Sequence, residues 1–393
     1  MNNRTFILKI LEIQTLNKMI YLTILLHLYQ PKVPEIQSRK VFKKILEECY
    51  YPVSEILKEN GNYTLNLHST ITEALYEGNS EIERKTLKNL EKAYENNNID
   101  FTKTPKYHLI PDLYPEKWTL LQTNLNEMDN KKMLGINETI KVFRSPEEFS
   151  SIKIGKIAKM SGSNFLIVSS FGKPFFTNNE FPIGTDERGK ELVRLLFRDD
   201  LNSNKIAFKK ISAKGLLENL RKTFSDAYKN YEDIYSLITL DGETFGHHKK
   251  FYYKFLQDLS KYSKMYEGLR LVKLSELIKI NTFFQNRKMK IPENSWAGEK
   301  ESWTDYENKK VREYLRFVKA KVRTVEESRD KPFYQSLLFE IQPSTSSCGE
   351  WHLSGKYTSS PSIQISKNLV KYAVKVLKKY RLEEKFIEYL IFD

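Results

Sequence analysis

Cysteine is scarce in this chain: Cys49 and Cys348 are the only two in 393 residues. Two thiols so far apart form neither a metal-ligand spacing nor a disulfide framework, a usage that suits a reducing, cytoplasmic setting. Long apolar runs are lacking too. The mostly apolar stretch Ile20 to Leu28 is too short to span a bilayer. It passes into Tyr29-Gln30-Pro31 without a small-residue cleavage site, so neither a membrane partner nor a signal peptide is expected. The net charge is +14, but no long basic block carries it. Lysine and arginine are mixed with acids, as in Arg84 to Lys92 and Lys309 to Arg323, and no nucleic-acid partner is expected. Gly-x-Ser-x-Gly, Gly-x-Gly-x-x-Gly, Walker and His-Glu-x-x-His patterns are all absent, which argues against a serine-hydrolase elbow, nucleotide chemistry and a helical zinc site. No metal and no other cofactor is expected.

What is present points to a folded enzyme-sized chain. Aromatics make up 13% of it, too many for a disordered polymer. Its length fits a barrel of roughly 250 residues plus a smaller helical part. Seven short apolar runs read as strands: Ile20–Leu26, Tyr63–Leu67, Ile140–Phe143, Phe165–Val168, Ile206–Phe208, Tyr235–Leu240 and Leu269–Val272. Helical spacing separates most of them, over Val41 to Lys58, Ile82 to Tyr94, Leu192 to Leu196 and Leu216 to Tyr228. Alternating strands and helices predict an α/β chain with parallel strands. Beyond residue 273 the strand signal fades, and Tyr306 to Val322, Ser366 to Tyr380 and Leu382 to Ile391 read as helices around a loop-rich stretch, Gln342 to Pro361. The expected organisation is an N-terminal extension (1–18), a barrel (19–280) and a helical bundle (281–393).

The strand ends carry the polar chemistry, as the rim of an α/β barrel does. The first run ends at His27, the second at Asn66-Leu67-His68, the third at Arg144-Ser145-Pro146-Glu147-Glu148 and the sixth at Asp241. Ser145-Pro146-Glu147-Glu148 also reads as a helix start, with Ser145 as N-cap and Glu148 as the capping-box acid, which leaves Glu147 free. After the sixth run comes Asp241-Gly242-Glu243-Thr244-Phe245-Gly246-His247-His248, two acids and two imidazoles within eight residues. By itself this stretch reads equally well as an active-site rim and as a capping loop.

Taken together and in order, these segments resemble glycoside hydrolase family 57. His27-Leu28-Tyr29-Gln30-Pro31 is similar to its His-x-His-Gln-Pro region, with Tyr29 in place of the second histidine. Gly61 to Asn66 resembles the strand and turn after its first helix. Lys106-Tyr107-His108-Leu109-Ile110-Pro111 resembles its Tyr-His-Pro-Ile-x-Pro stretch, and Phe143-Arg144-Ser145-Pro146-Glu147 the segment that carries its nucleophile. Phe197-Arg198-Asp199-Asp200-Leu201 resembles Phe-Arg-Asp-x-x-Leu-Ser, and the Asp241 segment resembles Asp-x-Glu-x-Phe-Gly-His, which carries the general acid/base. Ser347-Cys348-Gly349-Glu350-Trp351 is weakly similar to the last region. The likeness spans roughly residues 19 to 355.

The resemblance implies an incomplete (β/α)7 barrel followed by a C-terminal helical bundle. It also implies a retaining hydrolase or transglycosylase acting on α-linked glucans, of the α-amylase or 4-α-glucanotransferase kind. Glu147 is then the nucleophile and Asp241 the general acid/base. His27, Gln30, His108, Arg198, Glu243, His247 and Trp351 are expected to bind the polysaccharide or oligosaccharide substrate. Trp296 and Trp303 are further candidates for stacking on sugar faces. The alternatives are a carbohydrate-binding barrel without turnover and a metal-dependent polysaccharide deacetylase.

Overall fold

The computed structural model describes residues 19–170, 179–227, 233–299, 308–353, 360–384 and 386. Its centre is β1 (Met19–Leu28), an almost wholly apolar strand that is buried throughout from Leu22 to Leu28. Burial on both faces is what a parallel strand covered by helices requires. β2 (Tyr63–Leu67), β3 (Ile99–Phe101), β4 (Val142–Phe143) and β5 (Phe165–Ser169) follow, separated by helices. After the side strand β6 (Ile183–Thr185) come β7 (Glu191–Arg198) and β8 (Asp233–Asp241).

Seven of these strands run parallel, in the order β3-β2-β1-β8-β7-β5-β4. Their two ends meet at a narrow seam. A bridge pairs Lys103 with Phe143, and Lys103 N–H donates to Val142 O while Arg144 N–H donates to Lys103 O, both at 2.9 Å. The result is a (β/α)7 barrel. β9 (Leu269–Leu271) pairs with Ile20–Leu22, on the β1 edge that β2 occupies further along at Ile24–Leu28.

The register sets the rim. His27 lies opposite Asn66 of β2 on one side and opposite Asp241 of β8 on the other. The carboxyl ends of β1, β2 and β8 therefore come level, and their polar residues face one another. Beyond the barrel, β10 (Lys288–Lys290) pairs with β6, and β11 (Asn294–Ser295) forms a hairpin with β12 (Gly298–Glu299). The helices Lys309–Glu327, Tyr334–Ile341, Cys348–Leu353 and Ser360–Lys379 complete the described chain. Val311, Tyr314, Leu315 and Phe317 pack with Tyr114 and Trp118, which come from the barrel side, so one apolar core joins the two parts. No helix of the described residues is long and apolar enough to cross a membrane.

Three local expectations are corrected. Leu192–Leu196, expected as helix, lies in β7, and Ile206–Phe208, expected as strand, is the end of the helix Asp200–Phe208. Apolar runs this short fit either period, and packing decides between them. Ser145–Glu148 does not start a helix. Pro146–Glu148 is a single 3-10 turn, Ser145 makes no side-chain cap, and the helix begins at Ile152 under a Ser151 cap. Of the helix expected over Leu382 to Ile391, most lies outside the described residues.

Candidate active site

The turn after β4 sets the first carboxyl. Glu147 and Glu148 both have left-handed backbone, with φ of 57° and 51°. That conformation is unusual for residues with a Cβ and marks a site the surroundings over-determine. It sends the two acids different ways. Glu148 is buried and paired with Arg144 at 3.2 Å and Arg198 at 3.1 Å, and it accepts from the Thr239 hydroxyl. Glu147 keeps some exposure. Its Oε2 accepts from Trp296 Nε1 and its Oε1 from the Ser347 hydroxyl, both at 2.9 Å. Burial pushes the Glu147 carboxyl up to about 7, while the Trp296 and Ser347 donors pull it down and the charge of Asp241 raises it.

Asp241 ends β8 and keeps solvent-accessible surface although protein surrounds it closely. Among the described residues its carboxyl has no side-chain hydrogen-bond partner. Burial raises its pKa, opposed by the positive charge of Arg144 and of His248. Glu147 follows the carboxyl end of β4 as Asp241 ends β8, and the charge of Asp241 raises Glu147.

The loop after Asp241 is pinned by a π-helical turn, Leu46–Tyr50. At Gly246 (φ 149°) a Cβ would come within 1.9 Å of Glu48 O, so only glycine allows this approach. Cys49 Sγ donates to Gly242 O at 3.0 Å. Glu243 is buried and accepts from Gln30 Nε2 at 2.8 Å and from the Tyr50 hydroxyl. Burial, then repulsion from Asp241, lifts Glu243 to about 7.

The expected sugar contacts divide into two groups. His27 and His108 stand at the rim beside Glu147, their ring centroids 4.7 Å apart, and His108 Nδ1 lies 3.7 Å from Glu147 Oε1. Trp351 packs against Trp296 with centroids 5.4 Å apart, so it borders the same corner. Arg198 and Gln30 are engaged within the protein, Arg198 with Glu148 and Asp200, Gln30 with Glu243 and Tyr50. Their donors hold carboxylates in place. His247 turns to Glu48, at 2.6 Å, and it is His248 whose charge bears on Asp241. Trp303 lies outside the described residues. Sequence reasoning missed Ser347 and Glu148 as members of this site. Ser347 opens the Ser-Cys-Gly-Glu-Trp stretch, so a signal was there, whereas nothing local marks which of two adjacent glutamates turns inward.

The profile of glycosyl hydrolase family 57 matches residues 14–292, and the chain belongs to that family. No curated protein sequence matches it. Among solved structures, the fold is similar to a 4-α-glucanotransferase from Thermococcus litoralis, with TM-score 0.73, 16% identity, and 92% of this chain and 60% of that chain covered. The chain thus spans about 60% of that enzyme's length. It is also similar to a family 57 branching enzyme from Thermococcus kodakaraensis, with TM-score 0.71, 12% identity and coverage of 94% and 93%. An α-amylase from Thermotoga maritima matches with TM-score 0.67, 14% identity and coverage of 95% and 96%. At these identities the likeness is one of fold.

Proposed function

We propose that the chain is a retaining glycoside hydrolase or transglycosylase acting on α-linked glucans. The observation that carries this reading is the unequal pair of carboxyls on one rim, Glu147 held by two donors and Asp241 by none among the described residues. Hydrogen bonds to a carboxylate favour its charged form, and burial without them favours the neutral acid. The charge of Asp241 also raises Glu147. The Trp296 and Ser347 donors favour the anion on Glu147, and Asp241, which meets no such donor among the described residues, favours the proton.

Retention needs a nucleophile and an acid about 5–5.5 Å apart. Glu147 attacks the anomeric carbon while Asp241 protonates the departing glycosidic oxygen. The covalent ester neutralises Glu147, and Asp241, having given up its proton, is left ionised. Asp241, now ionised, takes the proton from water or from an acceptor sugar hydroxyl, and the glycosyl group leaves Glu147. Glu148 holds Arg144 and Arg198 beneath the site, and Glu243 with Gln30 fixes the loop that follows Asp241. In this reading residues 19–280 supply both carboxyls, and residues 281–393 supply the donors to Glu147. The two free thiols suit a cytoplasmic location.

Incubation with amylose and with maltotriose, with products resolved by size and by anomer, tests the proposal. Newly formed reducing ends should be α-anomers, and redistribution of maltotriose into longer chains separates transfer from hydrolysis. Initial β-anomers would exclude the double displacement.

A further inference from the structure

Three histidines from three separate segments converge beside the carboxyl pair: His27 at the end of β1, His68 just after β2, and His108 in the loop after β3. Their ring centroids lie 4.7 to 5.1 Å apart, and one ring nitrogen of each lies within 4.8 Å of the other two. All three residues are buried, at 6%, 0% and 4% exposure. Clustered neutral imidazoles are costly to bury unless their nitrogens find partners.

The hydrogen bonds decide which nitrogen carries the proton on each ring. His68 Nδ1 faces the backbone carbonyl of Lys106 at 3.2 Å, which can only accept. His27 Nδ1 faces Asn66 Oδ1 at 2.8 Å. The Asn66 amide is oriented by Arg144, which can only donate and does so to the same oxygen at 3.2 Å. His108 Nδ1 faces the Ser347 hydroxyl at 2.7 Å, and that hydroxyl gives its proton to the carboxylate of Glu147. Every Nδ1 is therefore an N–H donor, and every Nε2 carries a bare lone pair. Nε2 of His68 and of His108 are buried without a hydrogen-bond partner among the described residues.

We propose that His27, His68 and His108 bind a divalent transition-metal ion of the zinc type through their three Nε2 atoms. Imidazoles whose far nitrogens each donate to an oxygen are the usual ligands of such ions, with tautomer and orientation fixed in advance. Three neutral nitrogen ligands suit zinc or cobalt and disfavour magnesium or calcium, which take oxygen. A zinc–nitrogen bond is about 2.0–2.1 Å, which sets tetrahedral nitrogen ligands about 3.3–3.4 Å apart, so the three rings draw together when the ion binds. The opposing charge is Arg144, and Glu148 beside it offsets that charge. The site does not depend on the roles given to Glu147 and Asp241.

The test is made on the full chain, stripped with a chelator, dialysed, and titrated near neutral pH with zinc by calorimetry and with cobalt(II) by visible absorption. One equivalent of each should bind, and cobalt should show the d–d bands of a low-coordinate nitrogen site. Asn66→Ala, which removes the acceptor behind His27, should weaken binding roughly 10- to 100-fold. His68→Gln should abolish it, and His248→Gln, in the separate pair near Asp241, should leave it intact. A wild-type chain that binds neither ion stoichiometrically overturns the proposal, whatever the variants do. So does binding that survives His68→Gln or disappears in His248→Gln.

Discussion

The Glu147 corner of the rim is closed from outside the barrel, and the Asp241 corner from within it. Trp296 and Ser347, which hold both oxygens of Glu147, come from chain that follows the last parallel strand. Around Asp241 the supports are β1, β8 and the π-helical turn, and they grip the neighbours Gly242, Glu243 and Gly246 rather than the Asp241 carboxyl itself. One acid meets direct donors that favour its anion. The other keeps solvent-accessible surface and meets none among the described residues. The difference teaches that two carboxyls on one rim can be given opposite leanings by a pair of hydrogen bonds.

The largest test of this contrast is Glu147→Gln. It removes the covalent route altogether, and turnover of amylose should fall by more than the roughly 10²–10⁴-fold range of acid–base losses. Full activity in this variant would give the nucleophile's role to another group. Asp241→Asn should cost about 10²–10⁴-fold on amylose and much less on a glucoside whose leaving group needs no protonation, measured as kcat/KM on both.

Glu243→Gln probes the Asp241 corner through stability. From its unfolded value of about 4.5 up to its folded value of about 7, Glu243 is protonated in the folded chain and ionised in the unfolded one. Stability is therefore lost as pH rises through that window and stays constant above it. The glutamine keeps an acceptor for Gln30 and Tyr50 but cannot ionise. Its unfolding free energy from denaturant titration should match wild type near pH 4 and exceed it at pH 8, by up to about 3 kcal/mol. Equal free energies at both pH values would show that Glu243 is ionised in the fold.

Trp296→Phe combined with Ser347→Ala probes the Glu147 corner. Loss of two donors to a charged group should raise the Glu147 pKa by roughly one to two units. The acidic limb of the kcat/KM profile should move up by that amount while the basic limb holds. The smallest effect is expected from His248→Gln. Burial lowers the His248 pKa, so the ring is uncharged over the basic limb and that limb should stay in place. A shift of the acidic limb instead would join the two corners into one.

How legible these corners were differs for physical reasons. The runs that became β1, β2 and β8 were plain, because a strand buried on both faces is apolar almost throughout. β7 was not, since Leu192 to Phe197 is a short apolar run that satisfies either period, and only its pairing with β5 settles it. β3 spans three residues and leaves no pattern to read. The Asp241 corner lies largely in one contiguous segment, so its acids and glycines could be seen together. The Glu147 corner is assembled from residues 149 and 200 positions away in sequence, which no local pattern records. The three histidines were each visible at a strand end or loop, but their convergence depends on the register of β1 with β2 and on the path of the loop that carries His108.

Chain order also gives the Glu147 corner a history. All seven barrel strands have been synthesised once Asp241 is made, yet Trp296 follows more than fifty residues later and Ser347 more than a hundred. At translation rates of about 5–20 residues per second, a barrel that folds as it emerges waits roughly 5–20 s for the second donor. Throughout that interval Glu147 lacks the partners that hold its charge. Residues made late in the chain thus complete a carboxyl site begun much earlier in it.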